Sequence, residues 1–96
     1  MADYEGFFVI DAKLTQDEVE KAIVGVEGVI SKSEGTVGKR ESWGKKNLAY
    51  EVKGKKEGFY FVVNFQAKQK AIRELEKSYR LNDSVLRHLI LRRKDA

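Results

Sequence analysis

The chain has 96 residues, a length that fits one domain with one modest core. At 42% hydrophobic and 35% charged residues it has a globular composition, and with no cysteine and a single histidine, His88, it excludes a disulfide framework, a thiolate metal site and a multi-histidine metal cage. The formal net charge of +4 hides an imbalance: residues 1–36 carry 8 acids and 3 bases, net −5, and residues 37–96 carry 7 acids and 16 bases, net +9. Such an imbalance points to a polyanion on one side of the domain, although a solvated lysine-rich surface would give the same count.

No apolar run approaches the roughly 18–20 residues that span a bilayer. The opening "MADYEGFF" is acidic and runs straight into a strand-like segment, unlike a signal or transit peptide, so a cytoplasmic protein is expected. "YEGFFVI" (Tyr4 to Ile10) is rich in aromatic and β-branched residues and reads as a strand. Thr15 is the expected N-cap of the next element, with Glu18 closing a capping box and Leu14 and Val19 forming a hydrophobic staple. Val19, Ala22, Ile23, Val26 and Ile30 keep helical spacing and give one apolar face. Gly35 is the expected stop.

An extended stretch from Thr36 to about Val52 follows, and "NLAYEV" within it alternates. "KGKKEG" is expected to turn the chain, and "FYFVVNF" to return as the third strand of a hairpin. Residues 67–80 read as a second helix without a good cap, with Ile72, Leu75 and Tyr79 on one face. "LNDS" breaks it, and "VLRHLIL" is the last strand. The order β-α-β-β-α-β predicts an α+β, ferredoxin-like fold: a four-stranded antiparallel sheet with two helices on one face. One such domain is expected over residues 1–96, with 93–96 a short basic tail.

"GFYFVVNF" (Gly58 to Phe65) resembles the aromatic octapeptide on the third strand of RNA-recognition motifs, which share this element order. In that motif Phe59 and Phe61 would face outward to stack bases, and Tyr60, Val62 and Asn64 would face the core. That register leaves Phe59, Phe61, Val63 and Phe65 in water, at roughly 1.5–3 kcal/mol each, and buries an amide. A shift of one residue exchanges the faces. Phe59, Phe61, Val63 and Phe65 are therefore expected beneath the helices. Glu57 and Tyr60 also depart from the motif, which asks for a basic and a small residue there.

"WGKKNLAYEV" resembles the signature of the sixth protein of the bacterial small ribosomal subunit. Tyr4-Glu5, Gly58, "ELE" with Arg80, "NDSVLR" and Arg92 extend that resemblance over nearly the whole chain, in order and at similar spacing. The resemblance implies a structural, ribosome-bound protein that binds the central domain of 16S ribosomal RNA together with ribosomal protein eighteen of the same subunit. It departs at Ala2 and Asp3, where many relatives carry basic residues, and at Glu51, where a proline is common.

The residues themselves support an RNA partner. Lys39, Arg40, Lys45, Lys46, Lys53, Lys55 and Lys56 crowd the second strand and its turn, and Arg87, Arg92, Arg93 and Lys94 line the last strand and tail. Lysine and arginine neutralise phosphates and release counterions. These, without Lys94, are the expected RNA-binding residues; Lys45, Lys46 and Arg87 fall within the resembling motifs. Each has a plainer reading as a solvated charge or an ion-pair partner. Tyr4, Trp43, Tyr50, Tyr60, Leu89 and Leu91 are the expected protein-partner residues, because the last strand is apolar along both of its lines and a protein would cover its second face. His88 reads as a packed side chain rather than a base. No catalytic residue, metal, cofactor, membrane or small-molecule substrate is expected. "VEGVISK" (Val26 to Lys32) faintly resembles the phosphate loop of acylphosphatases, but lies late in the first helix and has lysine at the arginine position. A stand-alone single-strand RNA binder like an RNA-recognition motif, or a regulatory or oligomerising ferredoxin-like module, is the remaining alternative.

Overall fold

The structure is a computed structural model that describes residues 1–93; Lys94 and the rest of the expected tail lie outside the described residues. The chain runs β1 (Ala2–Asp11), α1 (Gln16–Lys32), β2 (Thr36–Val52), β3 (Lys55–Ala67), a 3-10 turn (Gln69–Ala71), α2 (Ile72–Arg80) and β4 (Val85–Arg92). The strands form one antiparallel sheet in the order β2-β3-β1-β4. The ferredoxin-like arrangement expected from the sequence is therefore the observed one.

Register decides what each sheet face carries, because side chains alternate along a strand. Tyr4 lies opposite Phe65, Gly6 opposite Val63, Phe8 opposite Phe61 and Ile10 opposite Phe59. This line meets Val19, Ile23, Val26 and Ile30 of α1 and Leu75 and Tyr79 of α2 in one core. Phe61, Val63 and Phe65 are buried there, and Phe59 is half-buried at its rim. The aromatic strand thus faces the helices, in the register expected on energetic grounds and opposite to that of a base-stacking motif. Tyr79 ties the two helices together by donating its hydroxyl to the Val26 carbonyl at 2.8 Å. Burial pushes its phenol pKa well up.

Helix α1 begins as its sequence dictates. The Glu18 N–H donates to Thr15 Oγ1 at 3.2 Å, and the Thr15 N–H to Glu18 Oε1 at 2.9 Å. Its end differs in detail from expectation. Glu34, not Gly35, takes the left-handed conformation, at φ 66°. Gly35 donates its N–H to the Ile30 carbonyl at 2.9 Å, and a Cβ there would meet the Gln66 backbone oxygen at 2.8 Å. Its smallness serves close approach rather than backbone freedom. The hairpin is also tighter than "KGKKEG" suggests. Lys53 (φ 53°) and Gly54 (φ 77°) make a two-residue turn, and β3 starts at Lys55, opposite Val52. Helix α2 has no side-chain cap and is entered through the 3-10 turn, so it starts later than residue 67.

Candidate nucleic-acid and protein interface

The sheet face away from the helices is ordered in rows. Asp3 and Gln66 lie at one end, followed by Glu5 with Asn64 and Leu91, then Phe7 with Val62, Glu41 and Leu89, and then Val9 with Tyr60 and Arg87. Acidic and amide groups therefore gather at one end, where Arg93 also lies next to Asp3, apolar groups gather in the middle, and Lys46 and Arg87 stand at the other end. Gln66 donates to Asp3 at 2.9 Å, while the shielded Oδ1 of Asn64 has no hydrogen-bond partner among the described residues.

Trp43, 49% exposed, sits edge-on to Phe7 at 6.3 Å. Its indole N–H donates to Glu41 at 3.3 Å, and Lys46 lies 5.5 Å from its ring centre. The Trp43 N–H and then Lys39 hold the Glu41 carboxyl below its usual pKa. Leu89 (53%) and Leu91 (47%) are exposed beside this group, and Tyr60 is half-buried. Tyr50, 63% exposed, projects from the far end of β2 and lies 5.3 Å from the Arg87 guanidinium. Of the expected partner residues, Trp43, Tyr60, Leu89 and Leu91 therefore share this face.

Tyr4 does not join them. It is a core residue, 4% exposed and stacked on Phe65 at 5.6 Å, because its register places it with Phe8 on the helix side. Expecting it at a protein interface was incorrect.

The expected RNA-binding cations fall into three conditions. Lys45, Lys46, Lys53, Lys56, Arg87, Arg92 and Arg93 are exposed. Lys39 and Lys55 pair with carboxylates, Glu41 and Asp11, at 3.3 Å each. Lys39 stays largely solvated, whereas the Lys55–Asp11 pair is half-buried between the hairpin turn and the end of β1. Arg40 is the third case. It lies opposite Val63 and so faces the helices. There it donates to Glu27 through Nε at 3.0 Å and Nη2 at 2.6 Å, and to Glu20 through Nη1 at 3.1 Å. Glu27 above all raises its already high pKa. A guanidinium forked onto one carboxylate and bonded to a second has few donors left for phosphate; in this structure Arg40 clamps α1 to β2.

Sequence reading missed Arg80. It stands at the C-terminal end of α2, yet lines one hollow with Lys53, Arg87 and His88. The only signal was its place within the "ELE"–Arg80 motif. His88 packs 5.9 Å from the Tyr79 ring, and burial lowers its pKa; the nearby Glu76 opposes that and Arg80 adds to it. The "VEGVISK" stretch is helical, with Val26 and Ile30 in the core, and forms no phosphate loop. No described helix is long and apolar enough to cross a membrane.

Comparison with known proteins agrees with this geometry over almost the whole chain. The family model described as Ribosomal protein S6 matches residues 3–92. The small ribosomal subunit protein bS6 of Carboxydothermus hydrogenoformans is 36% identical over 92 residues, covering 96% of each chain. That of Clostridium beijerinckii is 40% identical over 91 residues, covering 95% of this chain and 96% of the relative. The crystal structure of 30S ribosomal protein S6 from Thermotoga maritima superposes with a TM-score of 0.88 at 31% identity, covering 96% of this chain and 87% of that one. By sequence along its length and by the arrangement of its sheet and helices, this chain belongs to the ribosomal protein S6 family of the small ribosomal subunit.

Proposed function

We propose that this chain is a structural, non-catalytic component of the small subunit that binds the central domain of 16S ribosomal RNA jointly with ribosomal protein eighteen. The observation that carries the reading is the graded sheet face. Leu89 and Leu91 stand exposed in its apolar middle, while Lys46 and Arg87 stand at its basic end. Exposed apolar groups ringed by polar ones suit a protein partner. Cations at the margin suit phosphates, which fix orientation without reading sequence. A surface with both at once suits a protein–RNA junction, where each partner completes the other's site.

The orientation of β3 supports the division of labour. With Phe61, Val63 and Phe65 beneath the helices, stacking by these residues is closed to nucleic acid, and the grip falls to cations on β2, the hairpin and β4. The reading places the protein in the cytoplasm, bound to the ribosome. A filter-binding assay with a central-domain RNA fragment tests it. Cooperative binding is expected when ribosomal protein eighteen is added; equal and weak binding with and without that protein would refute it.

A further inference from the structure

We propose that Lys53, Arg80 and Arg87 form a seat for one RNA backbone phosphate, with Arg80 a direct RNA-binding residue. The inference rests on the RNA-binding reading above and adds a site that spans three separate elements. The three cations, with His88, line a hollow of about 240 Å³ floored by Val85 and Leu86. Lys53 comes from the hairpin turn, Arg80 from the end of α2 and Arg87 from β4.

Several observations converge on an anion. The hollow has no carboxylate in its lining, and none of the three cations makes an ion pair among the described residues, whereas Arg40, Lys39, Lys55 and Lys68 all do. The nearest carboxylate is Glu76, one turn before Arg80 and close enough to act on His88, but it forms no ion pair with the three cations, so their mutual repulsion is only partly offset and a bound anion would relieve it. All three cations are also pre-placed. The Arg87 guanidinium rests 5.3 Å from the Tyr50 ring, a cation–π arrangement that limits its wandering. Lys53 adopts a positive φ of 53°, an uncommon conformation for a residue with a side chain, set by the two-residue turn. Arg80 is held where the carbonyl end of α2 favours positive charge. The non-bridging oxygens of a backbone phosphate have lone pairs enough to accept donors from all three cations.

The test uses the full chain, the central-domain RNA fragment and filter binding over a range of salt concentrations. Arg80→Gln and Lys53→Gln are compared with wild type and with Lys32→Gln, a control at the far end of α1, with thermal melts confirming folding. Each seat variant should bind about fivefold more weakly or worse and lower the slope of log affinity against log salt, by at most about 0.7–0.9, the value for losing the phosphate contact altogether. The control should match wild type. Seat variants that keep the wild-type affinity and slope, while Arg87→Gln still weakens binding, would overturn the seat and leave the RNA reading standing. Weaker binding with an unchanged slope would also overturn it, since no charge contact would have been lost. A wild-type chain that fails to bind the RNA would overturn both.

Discussion

Arg40 and Phe61 face the same helices from neighbouring strands, and the chemistry of each shows how a position is used. Arg40 is only partly exposed and its donors are committed to Glu27 and Glu20. Replacing it with methionine should cost about 1.5–3 kcal/mol in denaturant unfolding, the range for hydrogen bonds to charged groups. RNA affinity should stay within about twofold of wild type, because the charge removed is not one that meets phosphate. His88 gives a pH prediction. Its folded pKa lies below the ordinary value of 6.5, chiefly through burial. Below that value the unfolded chain therefore binds more protons than the folded one, and stability falls as pH drops through and below 6.5. His88→Asn should flatten the decline of the melting temperature over that window. Much of this was readable beforehand, and some was readable but overlooked. Glu20 and Glu27 are two helical turns apart and share a face, which marks them as a clamp for a strand cation. In β1 the odd positions include Asp3 and Glu5, so the even line of Tyr4, Phe8 and Ile10 had to be the core; Tyr4's burial follows from that alternation.

At the scale of elements, local signals set most boundaries and tertiary contacts set the rest. The capping box of α1 is formed on both sides, and Thr15→Ala should lower unfolding free energy by about 1 kcal/mol, measured by urea titration. That signal is legible because it is contained within four residues. The start of β3 is not, because "KKEG" has no strand propensity of its own. It is drawn into the ladder by pairing across a tight Lys53–Gly54 turn, with Val52 opposite Lys55 and Asn47 opposite Glu57. The late start of α2 has a similar origin. With no capping side chain, the chain after β3 first makes a 3-10 turn and becomes α-helical only where Ile72 and Leu75 reach the core. Arg80 was missed for the same reason. Its meeting with Lys53 and Arg87 depends on how the hairpin turn and the end of α2 converge, and no sequence spacing encodes that.

For the whole molecule, the sheet separates two tasks. One face, under the helices, spends its aromatic residues on stability. The other carries a gradient from Asp3 and Glu5 through Leu89 and Leu91 to Lys46 and Arg87, and offers different chemistry to different partners along a single surface. The ferredoxin-like order was legible because each element carries its own periodicity. The gradient was not, since it joins residues from four strands whose register only the folded sheet defines. The structure most directly implies that the buried phenylalanine rings of β3, Phe61 and Phe65, hold the fold and do not touch RNA. That is tested most directly by the affinity of the Phe61→Leu chain for central-domain RNA. Leucine keeps an apolar side chain in the core, at a cost of about 1–2 kcal/mol in stability, but has no ring on which a base could stack. Affinity should stay within about twofold of wild type. A loss of tenfold or more in a chain that still folds, on the scale of one base–aromatic stack worth about 1–3 kcal/mol, would contradict it.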